Sequence, residues 1–429
     1  MQAIVLRFVG ILVVLMLVLV AAVRGVSGMI PNERSWLAWE GRSLTSGTYL
    51  WDRNYVVRIR ASSTIGGRPV WSSDRRLAWH AIYPGEGIDS PANDEIFLWE
   101  RGRIINVSQH PAQDSDIAWS PNGQLAFVSN RDNEDWEIYV WNGTSIVNIS
   151  QNTGRDVLPK WSEDGRLAWL SNRNGNWEVY VWNGNQSLNM SQSSLQEGEH
   201  HWTSDGKLLW VACEGSHWHD CSEHADRWHF WDGTTLQSIY QNPINVGYIT
   251  WSQSGELAWM VAHQGYDNRV VVKVYLWNQG AIRLLHTHSA FNAESPIWSR
   301  DGRLAWISNN EDHRTDIFMW DGNRVNILTN DYNAEHNLVW SINGNLAWLA
   351  GNYGVSDVFV WQGQSVIRLT DTSEAETFLT WSPAGDLVWS RWDGYGYIED
   401  MLVWDSSDVR QFWRGGLISN SLTWSPLPP

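Results

Sequence analysis

The sequence predicts an all-β protein folded as a β-propeller of four-stranded antiparallel blades. One indication is a periodicity, because 26 of the 33 tryptophans form three series that each repeat nine times at intervals of roughly 41 to 49 residues. The other is that each repeat holds four short runs rich in Val, Ile, Tyr and Trp, separated by Gly, Asn, Asp and Ser. Four strands within such a period are typical of a propeller blade.

Each strand of a repeat has its own marker, and the strands are called A to D from the central channel to the rim. Strand A ends in a Trp-Ser or Trp-Thr pair before a tight turn, at Trp71, Trp119, Trp161, Trp202, Trp251, Trp298, Trp340, Trp381 and Trp424. Strand B ends at Trp39, Trp79, Phe127, Trp169, Trp210, Trp259, Trp306, Trp348 and Trp389. Strand C ends at Trp51, Trp99, Trp141, Trp182, Trp231, Trp277, Trp320, Trp361 and Trp404. Strand D is shorter, and the tryptophan series are predicted to pack between blades.

Strand C usually runs into Asn-Gly or Asp-Gly, as at Asn142-Gly143 and Asp321-Gly322. We predict that these pairs are the central residues of two-residue hairpin turns, which need a positive φ. Consecutive strands then form antiparallel hairpins, so that each blade is a meander.

The two ends of the repeat array predict a closed ring. The first repeat has strands B, C and D between residues 36 and 59, but Pro31 stands where its strand A tryptophan is expected. Residues 422–425 have the pattern of a strand A, but no strand B, C or D pattern follows them. We therefore predict that this strand completes the first blade. This arithmetic gives nine blades, or eight if one degenerate repeat packs outside the ring.

Residues 1–28 are predicted to be separate from the propeller, which occupies residues 29–429 as a single domain. The segment contains a continuous apolar stretch from Phe8 to Val23. Its 16 residues are intermediate between a signal-peptide core and a membrane-spanning helix. Both alternatives, a transmembrane anchor and a cleaved signal peptide, predict an extracytoplasmic propeller that is either membrane-anchored or secreted.

The charge and the motifs exclude several classes of function. A net charge of −17 and a pI near 5.1 argue against a nucleic-acid partner, because phosphate binding needs clustered Lys and Arg. The chain contains no G-x-G-x-x-G, Walker-type or H-E-x-x-H motif. We therefore expect no cofactor and no catalytic residues.

The repeats resemble a known family. The strings Trp119-Ser-Pro-Asn-Gly-Gln-Leu-Ala-Phe127 and Glu137-Ile-Tyr-Val-Trp-Asn-Gly143 are similar to the WD40-like (PD40) repeat of TolB-like β-propellers. The resemblance covers strands A to C of all nine repeats. It implies an extracytoplasmic scaffold that binds other proteins. Related propellers also gate peptidases, but the absence of a G-x-S-x-G motif argues against a serine peptidase here.

Acidic residues recur just before strand A and are predicted to meet at one mouth of the channel. They lie four or five positions ahead of the strand A tryptophan: Asp114, Asp156, Glu197, Glu294, Glu335 and Glu376. One interpretation is a binding mouth for cations or basic peptide segments. The other is structural, since Arg131 and Arg173 are expected on the same face and would form ion pairs there.

The longest insertions, 80–94, 212–227 and 261–273, are predicted on this same face, which marks it as the binding side. The middle insertion holds both cysteines of the chain, Cys213 and Cys221. Outside the cytoplasm such a pair is expected to form a disulfide. A zinc site built from Cys213, His217, His219 and Cys221 is the weaker alternative, and free thiols are a third.

Six of the seven tryptophans outside the three series are candidates for an exposed ligand surface: Trp136, Trp177, Trp218, Trp228, Trp392 and Trp413. The sequence as a whole favours a non-catalytic scaffold that binds a protein partner through its loop-rich face. The alternative is a carbohydrate-binding or glycan-processing extracytoplasmic propeller. The latter would need two carboxylates across one pocket.

Overall fold

The computed structural model describes residues 35–42, 47–61, 68–83, 93–132, 135–223, 227–240, 246–264, 270–278, 280–289, 293–309, 315–331, 333–352, 355–392, 399–417 and 422–427. The predicted export segment 1–28 lies outside these residues. In the described part of the chain, no helix has the length and apolar character needed to span a membrane.

The described residues form strands with one short helix. The first strands are β1 (Leu37–Arg42), β2 (Gly47–Trp51), β3 (Val56–Ala61), β4 (Val70–Trp71), β5 (Leu77–Tyr83), β6 (Asn93–Glu100), β7 (Arg103–Asn106), β8 (Asp114–Trp119), β9 (Leu125–Ser129), β10 (Glu137–Trp141), β11 (Ile146–Asn148), β12 (Asp156–Trp161), β13 (Leu167–Ser171), β14 (Glu178–Trp182), β15 (Ser187–Asn189), β16 (Gln196–Trp202) and β17 (Leu208–Cys213). Helix α1 (Trp218–Glu223) follows β17.

The remaining strands are β18 (Arg227–Trp231), β19 (Leu236–Tyr240), β20 (Val246–Trp251), β21 (Leu257–Gln264), β22 (Val270–Asn278), β23 (Ala281–Ser289), β24 (Ala293–Trp298), β25 (Leu304–Asn309), β26 (Thr315–Trp320), β27 (Val325–Ile327), β28 (Ala334–Trp340), β29 (Leu346–Asn352), β30 (Val355–Trp361), β31 (Val366–Arg368), β32 (Ala375–Trp381), β33 (Leu387–Trp392), β34 (Glu399–Trp404), β35 (Val409–Leu417) and β36 (Thr423–Trp424).

Strands β4 to β27 form six separate four-stranded meanders, as predicted. The other strands form one larger sheet that consists of three such units, β28–β31, β32–β35, and β36 with β1–β3. Narrow lateral pairings join these three, such as the single pair Ser356↔Ala375 between β30 and β32. The fold is therefore the predicted multi-bladed β-propeller, while the count of nine blades stays a prediction.

The C-terminal strand completes the first unit, as the sequence predicted. Strand β36 pairs with β1 through Leu37↔Trp424 and Ala38↔Thr423. The carbonyl of Thr423 also accepts a hydrogen bond of 3.3 Å from the Trp71 indole of the next unit. The last strand thus takes the inner position that the first repeat lacks.

Strand A tryptophans link neighbouring units by hydrogen bonds. In seven of the nine strand A tryptophans the indole Nε1 donates to the carbonyl that precedes the strand A tryptophan of the unit before it, for instance Trp161 to Ala118 at 3.1 Å and Trp340 to Ile297 at 3.1 Å. The same bond occurs at Trp71, Trp119, Trp202, Trp298 and Trp381. Among the described residues, the Nε1 atoms of Trp251 and Trp424 have no recorded acceptor. Because each bond satisfies one donor and one acceptor, the inner strands are held in register around the channel.

Strand B tryptophans make the core between units. All eight of them, together with Phe127, are between 0% and 1% exposed. Trp306, for example, packs with Met260 and Val274 of the preceding unit and with Phe318 of its own. Burial of such large side chains is the main apolar contribution to stability.

Turns between strands A and B add a second clamp on the face opposite the predicted binding side. In three units an arginine of this turn, Arg76, Arg166 or Arg303, lies over the strand A tryptophan of the next unit at 4.6, 4.7 and 4.9 Å. The same guanidinium donates to the carbonyl of the next turn glycine, as from Arg166 to Gly206 at 2.5 Å. Cation–π attraction and a hydrogen bond therefore join successive turns.

Two local predictions were wrong. Asn142 is not a central turn residue, because its N–H donates to the Ser145 carbonyl and Gly143 (φ 102°) takes the first central position. The Asn142 side chain instead accepts hydrogen bonds from the backbone of the turn. The predicted 261–273 insertion is largely strand, since β21 and β22 stay paired out to Gln264↔Val270; the run Val270-Val271-Val272 favours this extension.

Candidate functional site

The six carboxylates share one end of the inner strands, as the strand order predicts. Asp114 and Asp156 open β8 and β12. The other four occupy the second position of their strands: Glu197, Glu294, Glu335 and Glu376. A β-bulge follows each of them, for example between Val157 and Lys160 in β12. The fold therefore repeats one local arrangement around the channel.

Asp156 and Glu376 are fully buried and are held by tryptophan and arginine. Asp156 accepts hydrogen bonds from the Trp169 indole at 2.9 Å and from Arg173 at 3.1 Å. Glu376 has the equivalent pair of donors, the Trp389 indole at 2.7 Å and Arg391 at 2.7 Å. In both units the carboxylate satisfies the buried strand B indole, which would otherwise lack an acceptor.

Asp114 lies in the one unit where the strand B residue is Phe127. Phenylalanine has no N–H to donate, and the carboxylate lies beside Arg131 at 3.2 Å and beside the hydroxyl groups of Ser108 and Ser129. Burial nevertheless raises the pKa of Asp114. The arginine pairs expected under the structural interpretation are thus present at both Arg131 and Arg173.

Glu197 and Glu335 are buried, and among the described residues no arginine is recorded at hydrogen-bond distance from either carboxylate. Ser193 donates to Glu197 at 2.6 Å, and Thr315 donates to Glu335 at 3.1 Å. Burial raises the pKa of Glu197 to about 8 and that of Glu335 to about 7. Near neutral pH a substantial fraction of these two groups is therefore protonated.

Glu294 differs from the other five because its side chain is partly exposed. It accepts a hydrogen bond of 2.9 Å from the backbone N–H of Asn337 in the following unit. The described role of the carboxylates is internal, since they satisfy indole, guanidinium, hydroxyl and backbone donors. Their role in ligand binding stays a prediction.

The 212–227 insertion is an ordered element where it is described. Cys213, at the end of β17, and Cys221, in α1, are joined as a disulfide. Helix α1 packs closely on β16, where a Cβ added at Gly198 would lie 2.7 Å from the Cβ of Cys221 and 2.9 Å from Val211. Glycine at 198 is thus needed for the helix to dock.

The insertion carries a cluster of imidazole and indole rings. His217 lies 5.5 Å from Trp177 of the preceding unit, and its ring stacks on His219 at 5.0 Å. Trp218 contacts both His219 and Trp177. Within the described ranges, no three His, Cys, Asp or Glu side chains form a group that could hold a metal ion. The zinc alternative at Cys213, His217, His219 and Cys221 therefore gains no support from the arrangement.

The other tryptophans outside the three series have different surroundings. Trp177 and Trp228 are buried, at 5% and 2% exposed, so the expectation of a ligand surface is wrong for them. Trp413 packs edge-on against Trp39, and Arg155 lies over Trp136. Trp392, at 41% exposed, is the most exposed of the six and lies on the face of the B–C loops.

A pocket on the opposite face was not predicted from the sequence. It has a volume of about 290 Å³ and is lined by the indoles of Trp251, Trp298 and Trp340 together with Arg300. The sequence predicts instead that these tryptophans pack between blades. The sequence carries only a weak signal for it: Glu256 stands at the turn position of Arg76, Arg166 and Arg303, but four other turns also lack an arginine there.

Comparison with known proteins concerns the fold alone. A eukaryotic initiation factor shares 14% identity with a TM-score of 0.61, covering 92% of this chain and 99% of that one. The β-propeller domain of the trilobed protease from Pyrococcus furiosus shares 12% identity over 81% of this chain and 96% of its own, with a TM-score of 0.43. The Dos1 propeller shares 14% sequence identity over 76% of this chain and 90% of its own, with a TM-score of 0.48. No family model and no curated protein matches the sequence, so the TolB-like assignment stays a prediction.

Proposed function

We propose that this chain is an exported, non-catalytic propeller that binds a protein partner through the face of its B–C loops. The observation that carries the proposal is the 212–227 insertion, whose described residues add a helix and a disulfide to an otherwise regular unit. Insertions that decorate one face of a repeat protein commonly form its binding surface.

The insertion has the properties of an interface anchor. Trp218 and His217 are partly exposed and His219 is exposed, while Trp177 supports them from below. Aromatic side chains held in a fixed position lose little conformational entropy when a partner binds. The disulfide and the close packing at Gly198 fix the helix that carries Trp218 and His219 before binding occurs.

Export is supported by the sequence of residues 1–28 and by the cysteine pair. An apolar stretch of 16 residues directs a chain into or across a membrane. Disulfides persist in oxidising compartments outside the cytoplasm. We propose that this segment either anchors the propeller or is removed as a signal peptide.

Affinity capture of the full-length chain from host membranes, with chemical crosslinking and mass spectrometry, tests the proposal. A double variant, Trp218→Ala with His219→Ala, is expected to weaken binding of the captured partner by at least about tenfold in a purified binding assay. Trp392→Ala is the matched control, because it removes an exposed tryptophan from the same face outside the insertion. Equal loss of binding in both variants, or none in either, would contradict the proposal. Recovery of glycans in place of a protein would instead favour the carbohydrate-binding alternative.

A further inference from the structure

The pocket beside Trp298 adjoins one of the five A–B turns that carry no arginine at the position of Arg76, Arg166 and Arg303. Glu256 occupies the position from which an arginine would cover Trp298. Its carboxylate turns away and accepts hydrogen bonds from Asn278 at 2.8 Å and from Ser254 at 3.1 Å. A carboxylate is repelled by the negative face of an indole, whereas a guanidinium is attracted to it. Glu256 therefore leaves the Trp298 face without the guanidinium that covers the equivalent tryptophan in three other units.

The aromatic walls of the pocket are fixed in place. The Trp298 indole donates to the carbonyl of Thr250 at 3.3 Å, and the Trp340 indole donates to that of Ile297 at 3.1 Å. These two indole N–H groups are used by the fold, so the rings of Trp298 and Trp340 present carbon edges and faces to the pocket. The Nε1 of Trp251, the third tryptophan of the lining, is buried with no recorded acceptor among the described residues. A site that is formed before its ligand arrives has little ordering cost.

Arg300 supplies the charge of the pocket. It is exposed, and in the part of the chain that the structure describes it has no recorded ion pair. Arg303, close by in the same turn, is instead held by Asp301 at 2.8 Å and by the Gly344 carbonyl at 2.9 Å. Arg300 is thus the guanidinium that a carboxylate ligand can reach, with bidentate geometry available.

We propose that this pocket binds a sugar ring that carries a carboxylate. The C–H face of a pyranose packs on flat indole surface, the exposed amide of Gln253 can bond its hydroxyl groups, and Arg300 takes the carboxylate. A volume of about 290 Å³ suits one ring rather than a folded peptide segment. The net charge of −17 repels ligands with many negative charges. The single guanidinium of Arg300 can still attract a ligand that carries one carboxylate.

This site is independent of the proposed protein-binding face. The turns between strands A and B lie at the opposite end of the inner strands from Glu294 and the other carboxylates, since β24 runs from Ala293 to Trp298. A failure at one site can therefore be distinguished from a failure at the other. The Trp218→Ala, His219→Ala double variant is expected to bind the sugar normally.

The test is calorimetric titration of the full-length chain with methyl glucuronide, methyl glucoside and phenylacetate. The glucuronide is expected to bind about tenfold more tightly than the neutral glucoside, the difference of one charge-assisted contact. Arg300→Gln should lower the affinity for the glucuronide to that for the glucoside. Glu256→Arg should weaken both sugars, because it restores the cover over Trp298. Arg324→Gln is the matched control, an arginine whose side chain is 75% exposed in a C–D turn and outside the pocket.

Equal binding of the two sugars, or unchanged binding by Arg300→Gln, would overturn the assignment of the charge. Phenylacetate binding as tightly as the glucuronide would overturn the sugar class in favour of any flat acid. Absence of saturable binding by all three compounds would overturn the site itself. Unfolding midpoints of the variants, expected to match that of the unchanged chain within a few degrees, show that any loss is local.

Discussion

Two junctions between neighbouring units show which features of the repeat are required and which are free to change. Where the unit β12–β15 meets β16–β19, Arg166 lies over Trp202 and Trp231, at 4.7 and 5.0 Å. Where β20–β23 meets β24–β27, Glu256 stands at the same turn position and turns away from Trp298. The first junction is closed at its turn and the second is open.

The interior of the two junctions is nevertheless the same. Trp210 and Trp306 are both 0% exposed, and each packs on the strands of the preceding unit. The indole-to-carbonyl bond is also present in both, from Trp202 to Lys160 at 2.9 Å and from Trp298 to Thr250 at 3.3 Å. The strand B tryptophans and the inner hydrogen bonds therefore hold neighbouring units together in both junctions. The residue in the A–B turn can differ without changing that interior.

The largest expected effect tests this shared interior. Trp210→Ala and Trp306→Ala should each lower the free energy of unfolding by about 3 to 5 kcal/mol, because each leaves a large cavity between units. Denaturant unfolding curves measure both. Trp392→Ala, which removes a 41% exposed indole, should stay within about 0.5 kcal/mol of the unchanged chain. A difference of more than about 2 kcal/mol between the two buried variants would show that the junctions are not equivalent.

A second prediction separates the junctions by pH. Glu197 at the closed junction is fully buried, and its pKa is raised to about 8 by burial, whereas Glu294 at the open junction is partly exposed. In the unfolded chain Glu197 ionises near its usual pKa of 4.5, whereas in the folded chain it stays protonated up to about pH 8. The stability that depends on the protonated carboxyl is therefore complete below about pH 4.5 and is lost as the pH rises through about 8.

The free energy of unfolding of Glu197→Gln should therefore equal that of the unchanged chain near pH 4. At pH 9 it should be higher by roughly 2 to 4 kcal/mol. Glu294→Gln is the comparison variant and should show the smaller change with pH, since water reaches its side chain. Thermal unfolding across this pH range measures both. A Glu197→Gln variant that is less stable than the unchanged chain at pH 9 would show that the carboxylate is ionised and well solvated there.

The smallest expected effect comes from exchanging the two turns. Arg166→Glu should lower the free energy of unfolding by about 1 to 2 kcal/mol. The change removes the guanidinium that lies over Trp202 and the hydrogen bond to the Gly206 carbonyl, and it adds a negative charge beside Asp164. Glu256→Arg should stabilise by about 0.5 to 1 kcal/mol by covering Trp298. Unfolding midpoints decide the sign of each. Destabilisation by Glu256→Arg would mean that the open turn serves stability in its own right.

The sequence predicted where most residues of the candidate site lie in the fold, but it did not predict which side chains surround them. The spacing ahead of strand A placed six carboxylates at one end of the inner strands, and the cysteine spacing placed the disulfide in the 212–227 insertion. Spacing does not show that the Trp169 indole reaches Asp156, or that Glu294 alone stays partly exposed. Those outcomes depend on how side chains from separate strands fill the same space.

The sequence by itself determined the strand order, the meander of each unit and the closure by β36, because a fixed tryptophan period leaves few ways to bury the indoles. It did not determine the turn at Asn142, the extended β21–β22 hairpin or the open face of Trp298. Each of these depends on which donors, acceptors and charges meet across a turn or between neighbouring units. Only the tertiary structure brings those groups together, and it thereby decided which turns cover the tryptophan of the next unit and which leave it uncovered.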